Sequence, residues 1–131
     1  MIDLLIAEDE HADLFLIQQA CREAGLECRW HHAADGEQAL ALLEQVEQGQ
    51  FRPAAILLDI NLPRYSGKEL LLRIRSNPLF DKVPVLVMSG TLNPRDRAEV
   101  LRMGAQRFFQ KTLDLDDYMR IGVEVRKLME Q

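Results

Sequence analysis

The sequence lacks a long apolar run and has few cysteines, and each absence excludes a class of protein. No apolar stretch approaches the roughly 20 residues of a membrane-spanning helix. The first apolar run, at 4–7, is too short and too uncharged at its start for a secretory signal. The only two cysteines, Cys21 and Cys28, are not in a CxxC spacing, which favours reduced packing residues over a disulfide or a metal site. We therefore expect a cytoplasmic protein with no membrane contact.

Basic residues are also too few for general nucleic-acid binding. The chain has 16 Lys and Arg against 21 Asp and Glu, a net charge of -5, and phosphate-backbone affinity depends on clustered basic side chains. Hydrophobic residues make up 47% and charged residues 28% of the 131 positions, which is typical of a globular domain. There is no internal repeat and no low-complexity linker, so residues 1–131 are predicted to form one domain.

Apolar segments alternate with helical ones along the whole chain, which is the rhythm of an α/β doubly wound parallel sheet. The run that ends at Leu58 is unbroken, as expected of a strand buried on both faces. The predicted strand at 26–32 is more polar, which suits the edge of a sheet. Strands are predicted at 3–7, 26–32, 54–58, 84–88 and 107–110, and helices at 12–24, 36–49, 68–75, 94–103 and 114–129.

Four of the predicted strands end at residues with potentially catalytic or metal-binding side chains. These residues are Glu8 with Asp9, then Asp59, Ser89 and Lys111. Parallel strands that are joined by helices place their carboxyl ends at one edge of the sheet, so these side chains should converge there. Three neighbouring carboxylates repel one another and raise at least one pKa unless a cation intervenes. Oxygen ligands of this kind suit Mg²⁺.

The two remaining residue types narrow the reaction class to phosphoryl transfer. A lysine ammonium, a serine hydroxyl and Mg²⁺ together cover the charge of a transferring phosphoryl group. Asp59 would then be the nucleophile and form an aspartyl phosphate.

With these residues in place, the sequence resembles the receiver domain of bacterial two-component response regulators over essentially its whole length. The resemblance implies a flavodoxin-like sheet of five strands in the order 2-1-3-4-5 with five helices. It also implies a phosphoacceptor that assists its own phosphoryl transfer and dephosphorylation, rather than an enzyme. The matching pieces are Glu8-Asp9, the strand into Asp59, Leu62-Pro63, Gly67, Ser89 and Lys111.

The resemblance assigns a role to each of these residues. Asp59 would accept phosphate from the phosphohistidine of a sensor histidine kinase. Mg²⁺ would be held by Asp9, Asp59 and the backbone carbonyl of Asn61, with Glu8 contributing through water. Ser89 would hydrogen-bond the phosphoryl group, and Lys111 would pair with it. Phe108 stands where the family has an aromatic switch residue that moves together with Ser89, which would change the surface of the fourth helix, fifth strand and fifth helix.

The sequence is similar to the stand-alone regulators that partner bacterial phytochrome kinases in two places. These are Asn61-Leu62-Pro63 and the non-proline residue after Lys111. Thr112 stands where most receivers have proline, so the loop after Lys111 is expected to differ in shape. The downstream protein is not specified by the sequence, and a homodimer through the last strand and helix stays open.

Two other functions compete with the phosphoacceptor. An aspartyl-phosphate phosphatase of the haloacid dehalogenase type also starts from a strand that ends in Asp, but it needs a second acid two residues on, and Asn61 occupies that position. The other alternative is a receiver-like module that binds partners without taking phosphate. The absence of the acidic residues or of the lysine would favour this alternative, but the sequence contains Glu8, Asp9, Asp59 and Lys111.

Overall fold

A computed structural model describes residues 1–130 as a parallel five-stranded sheet with helices on both faces. The strand order is 2-1-3-4-5, so the predicted flavodoxin-like fold is confirmed. The strands are β1 (Ile2–Ala7), β2 (Cys28–Ala33), β3 (Ala55–Asp59), β4 (Val85–Ser89) and β5 (Arg107–Gln110), and the helices are α1 (His11–Glu23), α2 (Gly36–Glu47), α3 (Gly67–Arg75), α4 (Pro94–Arg102) and α5 (Leu115–Met129).

Alternate residues of the central strands pack into two separate cores, one on each face of the sheet. Leu5, Ile56 and Val87 pack with α2, α3 and α4 on one face. Leu4, Leu57 and Leu86 pack with α1 and α5 on the other. Every residue of β3 and β4 is buried, whereas β2 and β5 are partly exposed, as expected of the edges of the sheet.

Every predicted boundary lies within two residues of the observed one, and the late start of β2 has an identifiable cause. β2 begins at Cys28 rather than at Leu26 because Leu26 still belongs to the end of α1: its N–H donates to the Cys21 carbonyl, and Gly25 takes a φ of 86°. This is a Schellman cap. A 3₁₀ turn at Pro78–Phe80, capped by Asn77, was not predicted after α3.

Two further observations concern the cysteines and the helices of the described residues. Cys21 and Cys28 are both free thiols, and burial raises the pKa of Cys21 to about 12. Within residues 1–130, no helix is both long enough and apolar enough to cross a membrane.

Candidate functional site

The fold brings residues at or just after the ends of β1, β3 and β5 to the same edge of the sheet. β1 lies between β2 and β3, and β4 separates β3 from β5. Asp59 is the last residue of β3, and Gly67 at the start of α3 lies directly against its backbone, since a Cβ there would be 2.2 Å from the Asp59 carbonyl oxygen. Only glycine permits this approach, which holds the loop after Asp59 close to the strand.

The ammonium group of Lys111 lies at the centre of the site and bonds three carboxylates. Its Nζ is 2.6 Å from Glu8 Oε1, 2.7 Å from Asp59 Oδ2 and 3.1 Å from Asp13 Oδ2. The side chains of Glu8 and Asp59 are 0% and 6% exposed, and that of Lys111 is 10% exposed. An ammonium group has three N–H donors, so these carboxylates use all of them.

The second oxygen of each buried carboxylate is held by a backbone N–H. Asn61 N donates to Asp59 Oδ1 at 2.8 Å, and Glu10 N donates to Glu8 Oε2 at 3.1 Å. Both carboxylates are therefore fixed in orientation by one backbone donor and by the shared lysine. Asn61 is predicted to bind the metal through its backbone carbonyl, and in the structure its N–H donates to the Asp59 carboxylate.

Burial and the crowding of charge change the acidity of the site. Burial raises the pKa of Glu8 to about 7; the Lys111 hydrogen bond opposes this rise, and the Asp59 charge adds to it. Burial alone would lower the pKa of Lys111, but its hydrogen bonds to Asp59 and Glu8 more than offset that effect, so the pKa lies above its ordinary value. Burial is therefore the main cause of the raised pKa of Glu8, and the predicted repulsion between carboxylates, here from Asp59, makes a smaller contribution.

Ser89 lies at the same edge, but its hydroxyl bonds within its own loop. Ser89 Oγ is 2.9 Å from Thr91 Oγ1 and accepts a hydrogen bond from Thr91 N at 3.1 Å. The Ser89 carbonyl accepts from Lys111 N at 2.8 Å, which places the serine beside the lysine. The residue is fully buried.

Phe108 is half-buried on β5, where it packs against the core that contains α4. It lines two neighbouring surface grooves, of about 520 Å³ along β5 and α5 and about 230 Å³ beside the start of α4. Arg97 borders both grooves. The Phe108 side chain therefore borders open volume at the surface.

Three side chains support the site without having been predicted. Asp13, in the first turn of α1, joins the lysine, and the Tyr118 hydroxyl donates to Asp13 Oδ1 at 2.6 Å. His32 Nε2 is 2.8 Å from the Glu8 carbonyl and ties β2 to the loop after β1. The early position of Asp13 in a helix that starts at this edge was the only signal in the sequence, and Tyr118 and His32 gave none.

The carboxylates also form a set of oxygen donors that suits a divalent cation. Glu8, Asp9 and Asp59 each offer one oxygen, and these oxygens lie within 4.8 Å of one another. Hard oxygen ligands at such a separation fit Mg²⁺ or Mn²⁺.

Comparison with known proteins agrees with this geometry. The family model of the response regulator receiver domain matches residues 4–121. The chain belongs to the response regulator receiver family. It is therefore a receiver domain that signals through phosphorylation, and the haloacid dehalogenase alternative is set aside.

Relatives within the family are similar over nearly the whole chain. Response regulator Rcp1 of Synechocystis sp. is 32% identical over 127 residues, which cover 92% of this chain and 85% of Rcp1. The crystal structure of the Mn²⁺-bound form of Rcp1 has a TM-score of 0.85 at 28% identity, covering 97% of this chain and 93% of that one. The phosphorylated cyanobacterial phytochrome response regulator RcpA has a TM-score of 0.87 at 29% identity, covering 99% and 94%.

Proposed function

We propose that Asp59 of this receiver domain accepts a phosphoryl group from the phosphohistidine of a sensor histidine kinase. One carboxylate oxygen of Asp59 attacks phosphorus, the P–N bond breaks, and the imidazole leaves with the electron pair and takes a proton. The observation that carries the proposal is the Lys111 ammonium, which bonds Asp59 at the end of β3 at 2.7 Å and Glu8 just after β1 at 2.6 Å. Its charge lies where the phosphoryl oxygens would gather.

The neighbouring residues complete the site in this proposal. Asn61 N holds the Asp59 carboxylate in place, and the Ser89 hydroxyl would donate to a phosphoryl oxygen after leaving Thr91. Glu8, Asp9, Asp59 and the Asn61 carbonyl would hold Mg²⁺, which when bound neutralises charge on the phosphoryl group. The Mn²⁺-bound form of Rcp1 supports a divalent ion at this site, and the oxygen donor set is compatible with Mg²⁺.

Labelling with a small phosphodonor tests the acceptor directly. Incubation with acetyl phosphate and Mg²⁺ should add the mass of one phosphoryl group to the wild type. Asp59→Asn should abolish the adduct, and chelation of the metal should prevent it. Asp35→Asn is the matched control, because Asp35 caps α2 at the same edge and asparagine caps equally well.

Each result has a defined meaning. Full labelling of Asp59→Asn contradicts the assignment of Asp59 as the acceptor. Labelling of the wild type that persists without metal contradicts the proposed role of Mg²⁺. A wild type that takes no phosphoryl group from acetyl phosphate or from a kinase would favour the receiver-like module that binds partners without phosphate. Asp35→Asn should be labelled like the wild type.

We further propose a bacterial phytochrome kinase as the donor. The support is the similarity to RcpA, a phytochrome response regulator, and to the bacteriophytochrome response regulator RtBRR, with a TM-score of 0.77 at 25% identity. Phosphotransfer from an autophosphorylated phytochrome kinase should be faster than transfer from a histidine kinase of another sensor class. Equal rates from both would contradict this choice of partner.

The proposed output is a rearrangement of the face formed by α4, β5 and α5. Phosphorylation would draw Ser89 toward the phosphoryl group, and Phe108 would move into the space that is left. The open grooves that Phe108 borders leave its side chain room to change rotamer. The proposal has four further parts. The same site assists dephosphorylation, residues 1–131 form one receiver domain, the protein is cytoplasmic, and it forms a homodimer. The downstream protein stays unspecified.

A further inference from the structure

Asp13 is the one carboxylate on Lys111 that the proposed phosphoryl chemistry leaves without a role. Its Oδ2 is 3.1 Å from Lys111 Nζ, the longest of the three contacts, and its side chain is 25% exposed. It belongs to α1 rather than to a strand end, and it has no part in the set of metal donors formed by Glu8, Asp9 and Asp59. It nevertheless takes one of the three ammonium donors.

Tyr118 fixes the Asp13 carboxylate in that position. The tyrosine hydroxyl donates to Asp13 Oδ1 at 2.6 Å, and the tyrosine itself is 4% exposed. Its ring lies edge-on against Phe109 of β5, with centroids 6.0 Å apart and planes at 67°. Rigid neighbours therefore hold the phenol, and through it the carboxylate.

The two helices that carry this pair are themselves closely packed. Gly122 of α5 lies against α1, since a Cβ there would be 2.1 Å from the Ala20 carbonyl oxygen. The close approach sets the distance between α5 and α1, so Tyr118 has little freedom to follow Asp13 if that side chain moves. Asp13 is consequently a fixed anion on one side of the lysine.

A fixed anion at this place opposes the pairing of Lys111 with a phosphoryl group. Phosphorylation moves the negative charge from the Asp59 carboxylate to the phosphoryl oxygens, and the ammonium must turn toward them to stay paired. The Asp13 carboxylate attracts the same ammonium, and its charge also repels the phosphoryl oxygens. We propose that Asp13, fixed by Tyr118, is a positioning residue that restrains Lys111 and so weakens binding of a phosphoryl group at Asp59. This inference rests on the proposed function.

Binding of beryllofluoride, which imitates a phosphoryl group, tests the proposal in the presence of Mg²⁺. Its affinity is measured by ¹⁹F NMR titration of the full chain. Asp13→Asn should bind about fivefold more tightly than the wild type, because a partly exposed ion pair contributes ~1 kcal/mol. Asp13→Glu keeps the charge and should return the affinity toward the wild-type value. Asp116→Asn, an exposed charge removed from α5, should stay within about twofold.

A double-mutant cycle separates positioning from a merely structural role. Tyr118→Phe should tighten binding less than Asp13→Asn does, because the freed carboxylate turns partly to solvent. In the Asp13→Asn background the same tyrosine change should have no further effect on affinity. Independent, additive effects would overturn the proposal.

The failure of this proposal is distinguishable from the failure of the proposed function. If the wild type binds no beryllofluoride and takes no phosphate on Asp59, the proposed function fails. If the wild type does both and Asp13→Asn binds beryllofluoride equally or more weakly, only the role of Asp13 is refuted. Thermal melts of each variant show whether it is folded, and a variant that does not fold is replaced in the comparison by Asp13→Ser.

Discussion

Replacing Lys111 by methionine should destabilise the metal-free protein strongly, because the lysine is the cation that neutralises two buried carboxylates. Methionine keeps the length of the side chain but leaves Glu8 and Asp59, at 0% and 6% exposed, without their shared partner. Removal of one partner from a buried ion pair costs about 3–5 kcal/mol. Glu8 can take up a proton in response, so we expect the lower end of the range, about 3 kcal/mol at pH 8.

Thermal and urea unfolding with a chelator present would measure this loss. For a chain of this size, about 3 kcal/mol corresponds to a fall in Tm of roughly 10 °C. Lys68→Met is the matched control: Lys68 also bonds two carboxylates, Asp96 at 2.7 Å and Glu99 at 3.1 Å, but its side chain is 27% exposed. Its loss should be about 1 kcal/mol. Equal losses for the two variants would refute the claim that burial makes the Lys111 cluster special.

Three other perturbations test separate parts of the structure. The pKa of Glu8 is raised from 4.5 to about 7, so the stability that it contributes is present below pH 4.5 and is lost as pH rises through 7. The free energy of unfolding of the metal-free wild type should therefore fall by a few kcal/mol over this range, and Glu8→Gln should lack this fall. Gly67→Ala places a Cβ 2.2 Å from the Asp59 carbonyl oxygen, so it should lower the free energy of unfolding in urea by about 3 kcal/mol and reduce labelling by acetyl phosphate. Gly90→Ala is the control: the nearest atom to its new Cβ would be 3.9 Å away, and it should cost under about 1 kcal/mol. Arg75 donates to carbonyls of three other segments at 2.8–2.9 Å, and Arg75→Lys, which lacks the planar fork, should lower the urea midpoint by the equivalent of about 2 kcal/mol, a result that an unchanged midpoint would contradict.

The residues that could be predicted from the sequence are those that end a strand. An apolar run that stops on a carboxylate or a lysine marks a sheet edge, and parallel topology then brings Glu8, Asp59 and Lys111 together. The observed contacts among these three side chains follow that logic. Their approach to hydrogen-bonding distance depends on rotamers and on the loop after Asp59, which the sequence pattern does not encode.

The parts that were missed depend on pairing between elements far apart in the chain. The hydrogen bond from Tyr118 to Asp13 joins α5 to α1, and neither residue departs from an ordinary helical pattern. The bond between Ser89 and Thr91 is a local turn contact that uses the hydroxyl assigned to phosphoryl binding. The late start of β2 reflects a helix cap that continues to Leu26.

The position of the phosphoryl group on the chain tests the central claim most directly. Borohydride reduces an acyl phosphate to an alcohol, so an aspartyl phosphate becomes homoserine, which peptide mass spectrometry locates. After phosphorylation and reduction, homoserine should appear at position 59 and nowhere else. Reduction at Asp9 or Asp13, or a labelled protein with an unchanged residue 59, would contradict the account.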